Sequence, residues 1–246
     1  MYKIVFLRHG ESVWNKKDLF TGWTDVSLTK LGESEAIEAG RYLRRRGFVF
    51  DIAWHSFLKR TTKTLHLVLD ELKSPPSTIY ADWRLNERHY GNLQGSSKIA
   101  MAHKFGMDQV FHWRRGYDVH PPQITAANRY NQRNDKKYKD ITVPREESLK
   151  DVVTRVVEFW KEEVVPRIKN GDRILIVASG NSLRALIKYL DKVPVREIIK
   201  LNIPLAIPLV YELDKNLKPQ RHYYLASKKK LDAEISRIKH VGKIKN

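Results

Sequence analysis

The stretch DRILIVA at residues 172–178 decides the fold of this chain, because it carries the strongest strand pattern and stops at the loop SGN of residues 179–181. A short, continuous run of aliphatic and β-branched residues is typical of a strand buried on both faces of a sheet. A second run of this kind, YKIVFL at residues 2–7, stops at RHG of residues 8–10. Sites in parallel sheets lie beyond the carboxyl ends of the strands. We therefore expect the two loops to share one pocket.

Strand and helix patterns alternate along the rest of the chain. Further strands are predicted at residues 51–55, 78–80 and 209–213, and helices at residues 28–46, 59–72, 150–168 and 182–190. Such alternation favours an α/β fold. We expect a three-layer sandwich, in which a mainly parallel central sheet is flanked by helices.

Residues 1–226 are expected to form a single domain. The alternating pattern fails between about residues 117 and 147, where prolines surround a polar stretch, and this segment is predicted to be an insertion or a lid over the sheet. Residues 227–246 form a lysine-rich tail with a weak helical pattern. The tail is expected either to be disordered or to fold back over the domain.

The composition is that of an ordinary soluble globular protein, with 41% hydrophobic and 30% charged residues among 246. Cysteine is absent, which excludes disulfides and thiolate metal sites. The chain shows no secretory signal pattern and no run near the ~18 apolar residues that a membrane span needs. We expect a cytoplasmic enzyme.

The formal net charge of +18 indicates a preference for anions. A field of that sign concentrates anionic molecules at the surface and speeds their capture. Phosphorylated metabolites, nucleic acid and anionic lipid all fit this charge. Lysine-rich solvated faces with no functional meaning are the alternative interpretation.

The loop that contains Arg8 and His9, with Asn15 downstream, is the first candidate site. A neutral imidazole is a nucleophile near physiological pH, and a guanidinium group binds phosphate oxygens with paired donors. A histidine at the end of a strand beside an arginine therefore suits phosphoryl chemistry. A loop histidine next to a surface arginine is the structural alternative.

Three further clusters contain groups that bind anions or move protons. They are Thr21 and Gly22 in FTGWTD, Lys59 and Arg60 at the start of a helix, and Glu87 in WRLNERHYG. Helix amides and an arginine hold phosphate well, and a carboxyl group among arginines suits proton transfer. For Glu87, a structural salt-bridge network is the alternative.

Taken together, the clusters resemble the cofactor-dependent phosphoglycerate mutases of the histidine phosphatase superfamily. The matching motifs occur in order and extend to about residue 225; they include LRHGESVWN (7–15), LFTGWTD (19–25), WRLNERHYG (83–91) and GNSLRALIKYLD (180–191). The resemblance implies a phosphoglycerate mutase-like fold. It also implies interconversion of 3-phosphoglycerate and 2-phosphoglycerate in glycolysis and gluconeogenesis, with 2,3-bisphosphoglycerate as the primer and no metal. A homodimer or homotetramer that binds small phosphorylated acids is implied as well.

The resemblance also assigns roles to individual residues of this chain. It implies that His9 is the phosphorylated nucleophile, that Arg8 and Arg60 hold the transferring group, and that Glu87 is the general acid and base. Asn15 and the amide of Gly180 are implied to assist the phosphoryl group. The residues implied to bind the rest of the substrate are Thr21, Gly22, Arg88, Tyr90, Lys98, Arg114, Arg115 and Asn181.

The chain departs from the family where a second catalytic histidine is expected. Ser179 stands at that position, so a charged donor to the transferring phosphoryl group is lost. Loss of one preorganised donor typically costs ~10²–10³ in rate. Smaller departures occur in NIPLA (202–206), where the family has NIPTG, and in QGSSK (94–98), where it has QGLNK. We predict low turnover for this sequence.

Several alternatives remain open at this stage. A bisphosphoglycerate phosphatase or synthase is the nearest one, since water and substrate compete for the same phosphohistidine. Three other interpretations are a mutase weakened at Ser179, a version altered to trap a ligand, and a relative that only binds phosphoglycerates. We do not expect a nucleic-acid protein, because no recognition motif accompanies the positive charge.

Overall fold

A six-stranded sheet forms the centre of the computed structural model, which describes residues 1–239. The strands are β1 (Tyr2–Arg8), β2 (Ile52–His55), β3 (Thr78–Ala81), β4 (Ile174–Ala178), β5 (Leu209–Leu213) and β6 (Pro219–Tyr224). They lie in the order β3-β2-β4-β1-β5-β6. The first four in that order are parallel, and β5 is antiparallel to both its neighbours. The predicted mainly parallel sheet is confirmed.

Helices connect the strands and cover the sheet. They are α1 (Val13–Lys16), α2 (Lys30–Arg45), α3 (Lys59–Leu72), α4 (Lys98–Phe105), α5 (Met107–Arg115), α6 (Leu149–Phe159), α7 (Val165–Lys169), α8 (Gly180–Leu190), α9 (Val195–Ile198) and α10 (Lys228–Lys239). A π-helical turn, Trp160–Val164, joins α6 to α7, so the predicted helix at 150–168 is interrupted. The interruption lies just before Pro166, whose nitrogen has no hydrogen to donate to the preceding turn.

The side chains of β1 show why the fold has three layers. Ile4 and Phe6 pack with α6 and α8 on one face, whereas Val5 and Leu7 pack with α2 and α3 on the other. Successive side chains of a strand point to opposite faces, so an uninterrupted apolar run buries both. Burial of each such side chain stabilises the fold by about 1.5–3 kcal/mol. The predicted three-layer arrangement is confirmed.

Polar side chains at the helix starts set the helix boundaries. The Thr29 hydroxyl accepts a hydrogen bond from the backbone N–H of Gly32 at the start of α2. Ser148 and Asp151 form a reciprocal capping box at the start of α6. Such caps satisfy backbone N–H groups that have no partner within the helix, and each contributes about 1 kcal/mol.

The sequence patterns did not predict α4, α5 or β6. The buried residues of α4 and α5, Ala102, Val110 and Trp113, form a small cluster outside the main core rather than a long apolar stripe. Strand β6 is an edge strand with exposed polar residues, so it lacks the alternation of a half-buried strand.

The segment 117–147 and the C-terminal segment both contact other parts of the chain. Within residues 117–147, Tyr138 packs against Trp23 with ring centroids 4.9 Å apart. In the C-terminal segment, α10 contacts α2 through an ion pair of 2.6 Å between Arg237 and Glu35. Residues 240–246 of the predicted tail lie outside the described residues. No helix in the described part of the chain is both long and apolar enough to cross a membrane.

Candidate active site

The carboxyl ends of β1 and β4 lie side by side and bring the two predicted loops together. Arg8 pairs with Ala178 in the strand register, and the backbone N–H of His9 donates to the Ala178 carbonyl over 3.2 Å. The loops that follow both strands line one cavity of about 160 Å³. This volume lies below the ~300–1,000 Å³ of pockets for drug-sized ligands, so the cavity suits a small metabolite.

His9 is buried in this cavity as a neutral imidazole. Its Nδ1 donates to the Gly10 carbonyl over 2.7 Å, and its Nε2 accepts a hydrogen bond of 3.2 Å from Arg60 Nε. Burial lowers the pKa of His9 well below its usual value, and the charges of Arg60 and Arg8 lower it further. The Nε2 lone pair therefore faces the Arg60 guanidinium group, and Nε2 carries no proton.

Backbone carbonyls hold the Arg60 guanidinium in place beside His9. Arg60 donates to the carbonyls of Thr24 at 3.0 Å and Gly22 at 2.8 Å. Burial lowers the pKa of Arg60 to about 10, and the nearby Glu87 partly offsets this effect. Arg60 therefore remains charged at neutral pH.

The Arg8 guanidinium lies against the start of α8 and keeps a free donor. Its Nη1 donates to the Ile203 carbonyl over 2.7 Å, but its buried Nε has no hydrogen-bond partner among residues 1–239. A Cβ at position 180 would lie 3.3 Å from Arg8 Nε. Gly180 thus lets the guanidinium approach the backbone closely. A buried donor without a partner is rare in folded proteins, and this one belongs to a residue of the cavity wall.

Glu87 receives several hydrogen bonds at the other side of the cavity. Asn181 Nδ2 donates to its Oε1 over 2.6 Å, and the backbone N–H of Arg88 donates over 2.8 Å. Asn181 Nδ2 also donates to the Tyr90 hydroxyl oxygen over 3.1 Å. These hydrogen bonds fix the position of the Glu87 carboxyl group in the cavity wall.

Further cations form the outer part of the cavity. Lys98 donates to Asp18 over 2.8 Å; burial and the charge of Arg114 lower the pKa of Lys98 to about 8. Burial lowers the pKa of Arg115 to about 10, with a further contribution from Arg114. These lowered pKa values show that the cavity holds several positive charges that are shielded from water. A bound anion would offset the unfavourable free energy of burying these charges.

The cavity wall contains most of the residues predicted from the sequence. These are Arg8, His9, Asn15, Thr21, Arg60, Glu87, Tyr90, Lys98, Arg114, Arg115, Gly180 and Asn181. The wall also contains six residues to which the sequence motifs assigned no site role: Glu11, Leu19, Arg184, Ile203, Leu205 and Arg237. Seven arginine or lysine side chains therefore face two carboxylates, Glu11 and Glu87. Among the described residues no cluster of histidine and carboxylate groups could hold a metal.

Three predicted residues lie next to the cavity wall rather than in it. Arg88 donates to the carbonyls of Trp113 at 2.6 Å and Gly116 at 2.8 Å. Gly22 has a φ of +55°, and a Cβ there would lie 2.1 Å from Gln94 Oε1. The structure thus gives Arg88 and Gly22 contacts within the protein that support the site.

Ser179 is the third of these residues. It is fully buried at the start of α8, and its Oγ has no hydrogen-bond partner in the described chain. A buried hydroxyl without a partner is costly, by about 1–3 kcal/mol. A bound group that reached the Ser179 hydroxyl would remove this cost.

The departure in NIPLA (202–206) lies next to Arg8. The segment 203–206 supplies the carbonyl of Ile203 to Arg8, and Ala206 N–H donates to the Arg8 carbonyl over 3.0 Å. Ala206 has a φ of +44°, in the left-handed region that favours glycine. An alanine there costs about 1 kcal/mol. A glycine, which the family has at this position, would adopt this backbone conformation without that cost.

Arg184 and Arg237 differ in how far the sequence could have revealed them. Arg184 lies one helical turn after Gly180, on the α8 face that begins at the cavity, so helical spacing gives a usable signal. Arg237 lies on α10, and no local pattern indicates that this helix reaches the cavity.

Comparison with known proteins gives consistent results. The family model for the histidine phosphatase superfamily (branch 1) matches residues 4–219. A protein of Borreliella afzelii (strain PKo) named 2,3-bisphosphoglycerate-dependent phosphoglycerate mutase is 47% identical over the full length of both chains.

Solved structures of lower identity share the fold. Bacillus stearothermophilus YhfR has a TM-score of 0.69 at 21% identity, covering 89% of this chain and 94% of its own. A mycobacterial glucosyl-3-phosphoglycerate phosphatase in complex with VO3 has a TM-score of 0.66 at 22% identity, covering 92% of this chain and 100% of its own.

Proposed function

The chain belongs to the histidine phosphatase superfamily, within the family of 2,3-bisphosphoglycerate-dependent phosphoglycerate mutases, and from this premise we propose that it interconverts 3-phosphoglycerate and 2-phosphoglycerate through a phosphoryl group on His9. The supporting observation is the neutral imidazole of His9 inside a cavity of arginines that also contains a carboxyl group. Such a step of glycolysis and gluconeogenesis belongs in the cytoplasm, which is the location we propose. Assembly into a homodimer or homotetramer stays a prediction.

The proposed first step forms a bond between His9 Nε2 and the phosphorus of a phosphoryl donor. The bond from phosphorus to the departing oxygen breaks at the same time. Arg8 and Arg60 stabilise the charge on the phosphoryl oxygens, because both guanidinium groups are held by backbone carbonyls and need no rearrangement. The free Arg8 Nε and the Ser179 hydroxyl supply two further donors.

Glu87 handles the proton that accompanies the transfer. As a carboxylate it accepts the proton of the substrate hydroxyl while that oxygen attacks the phosphoryl group on His9. In the reverse transfer it returns the proton to the departing oxygen. The hydrogen bonds from Asn181 and from the Arg88 backbone hold the carboxylate in position for both steps.

The residues present fit 2,3-bisphosphoglycerate, which would supply the first phosphoryl group. That molecule carries two phosphates and a carboxylate. The inner cations Arg8 and Arg60 suit one phosphate, while Lys98, Arg114 and Arg115 suit the remaining negative groups. The observation that supports an anion of high charge is that seven arginine or lysine side chains and two glutamates line the cavity, and that burial lowers the pKa of the cations Arg8, Arg60, Lys98, Arg114 and Arg115.

A direct experiment on phosphorylation tests the proposal. Incubation with 2,3-bisphosphoglycerate, followed by mass spectrometry at neutral pH, should reveal an acid-labile phosphoryl group on His9. Absence of the group on the native protein, while the same treatment labels the Borreliella relative, would contradict the proposal.

A phosphatase activity is the second candidate, and Ser179 is the observation that favours it. A neutral hydroxyl at that position stabilises the transferring group less than a charged donor, so slow transfer to the substrate gives water more time to compete. Product analysis with 2,3-bisphosphoglycerate alone separates the two functions. Release of inorganic phosphate faster than mutase turnover would favour the phosphatase.

The pH dependence provides a separate prediction. Because the pKa of Lys98 is about 8, its charge is lost as the pH rises through that value, and kcat/KM should then fall. The loss should be about tenfold and mainly in KM, since a charged hydrogen bond to the substrate disappears. Steady-state rates between pH 6 and 9.5 measure it.

Lys98→Arg is the matched variant for this measurement, because a guanidinium group stays charged throughout that range. It should remove the decline in kcat/KM above pH 8. An identical decline in Lys98→Arg would assign the titration to another group.

A further inference from the structure

We propose that Arg184 is a positioning residue that fixes the orientation of the Asn181 side-chain amide. In this orientation the NH2 group of Asn181, and not its oxygen, faces Glu87. The inference rests on the proposed role of Glu87 as the group that exchanges protons with the substrate. Arg184 itself need not touch the reacting atoms; its effect passes through Asn181.

The three side chains form a continuous series of hydrogen bonds. Arg184 Nη1 donates to Asn181 Oδ1 over 2.7 Å, and Asn181 Nδ2 donates to Glu87 Oε1 over 2.6 Å. Arg184 and Asn181 are three residues apart on α8, so they lie on the same face of the helix. All three side chains are buried, which strengthens these charge-assisted hydrogen bonds.

The side-chain amide of Asn181 has two orientations with opposite consequences. In the observed one, its NH2 group donates both to Glu87 and to the Tyr90 hydroxyl oxygen. After a flip, Oδ1 would face the Glu87 carboxylate, and the contact would be repulsive unless Glu87 were protonated. A flipped amide would therefore oppose an ionised Glu87, whereas the observed amide donates a hydrogen bond to it.

Arg184 selects the observed orientation because a guanidinium group donates hydrogen bonds and accepts none. With Arg184 beside it, the amide must present its oxygen to Arg184 and its NH2 group to Glu87. A hydrogen-bond donor thereby faces Glu87, the group that takes the proton from the substrate hydroxyl in the proposed mechanism.

Backbone contacts keep Arg184 in place. Its Nη2 donates to the carbonyls of Ile198 at 2.6 Å and Arg115 at 3.3 Å, and the side chain is 3% exposed. The guanidinium group is thus fixed by two carbonyl groups from other parts of the chain. Movement of Arg184 would require the loss of both.

Two substitutions of Arg184 test the inference. Arg184→Met keeps an unbranched side chain but removes every donor, and Arg184→Lys keeps the charge but loses the forked geometry. In Arg184→Met we expect kcat to fall by about tenfold to a hundredfold with little change in KM. The acidic limb of the kcat profile should move to higher pH by about one unit, because Glu87 then keeps its proton more readily. Arg184→Lys should show a smaller shift.

Arg88→Lys is the matched control for a purely structural effect. Arg88 is fully buried, and its guanidinium group also bonds two backbone carbonyls, but it makes no hydrogen bond to Asn181. If Arg184 had only a structural role, the two Arg184 variants would lose rate as Arg88→Lys does. The pH profile of kcat would then not move in any of the three. That result would overturn the inference.

Asn181→Asp provides a test that leaves Arg184 intact. One carboxylate oxygen then faces Arg184 and the other faces Glu87, so the acidic limb should again move to higher pH. An unmoved limb in an active Asn181→Asp enzyme would contradict the inference.

NMR spectroscopy makes the inference independent of turnover. The side-chain NH2 signals of Asn181, assigned by their loss in Asn181→Asp, should change with pH at a higher pH in Arg184→Met than in the native protein. Equal pH dependence in the two proteins would overturn the inference even if the native chain were inactive. Failure of the proposed function would instead appear as a native protein that never carries a phosphoryl group on His9.

Discussion

Replacement of His9 by glutamine should lower the mutase rate by about 10⁴-fold or more and leave the protein without a bound phosphoryl group. The proposed mechanism passes every phosphoryl group through His9 Nε2, and a neutral amide nitrogen is too weak a nucleophile to replace it. Binding of 2,3-bisphosphoglycerate should change little, because Arg8 and Arg60 are held by backbone carbonyls and not by His9 alone. A coupled enolase assay and calorimetry measure the two quantities.

His55→Gln is a matched control for this variant. His55 also ends a strand, and its Nδ1 lies 2.6 Å from the carbonyl of the next residue, Ser56, as His9 Nδ1 lies 2.7 Å from that of Gly10. It is not among the residues that line the cavity. The His55 variant should keep nearly full activity. Equal losses in the two variants would mean that the His9 effect is structural.

The substitution Ser179→His should raise mutase activity at least tenfold, and up to about 10²–10³-fold. Ser179 Oγ is buried without a partner at the end of β4, next to the end of β1 that carries His9. An imidazolium group there would add a charged donor to the transferring phosphoryl group. An unchanged rate in the coupled enolase assay would show that Ser179 is not the defect.

Two companion variants sharpen this test. In the double variant with His9→Gln, the gain from Ser179→His should vanish, because it acts on a phosphoryl group that His9 carries. Addition of Leu205→Thr and Ala206→Gly should give a further gain, since Leu205 lines the cavity and Ala206 has a φ of +44°. A gain that persists without His9 would place the new activity outside the proposed mechanism.

The central sheet could be predicted because the local sequence of its strands shows whether their side chains are buried. In β1 and β4 an unbroken apolar run leaves no polar face, so both faces must be covered, and the helices on either side follow. The edge strand β6 has no such constraint, because one side of it faces solvent and its sequence is polar. Helices α4 and α5 bury few residues, in a separate small cluster, and their periodicity is correspondingly weak.

The candidate site could be predicted where chemistry and strand ends coincide. His9 and Asn181 follow the two strongest strands, and the motifs around Arg60 and Glu87 carry the family resemblance. The sequence did not reveal how each side chain is used. Arg88 holds the carbonyls at the end of α5, whereas Arg184, which received no role, donates to Asn181. Both arginines are buried and basic, so only their partners distinguish them.

The amino-acid sequence by itself determined the layered α/β architecture, the family, and the presence of a histidine next to an arginine at a strand end. Hydrophobic periodicity and short motifs are local properties, so they can be recognised without knowledge of distant contacts. The tertiary structure alone decided that His9 is neutral with Nε2 toward Arg60, that Arg237 of the last helix reaches the cavity, and that Ser179 lacks a partner. These features depend on burial and on hydrogen bonds between residues far apart in the chain, and the free energies of both are set only when the chain is folded.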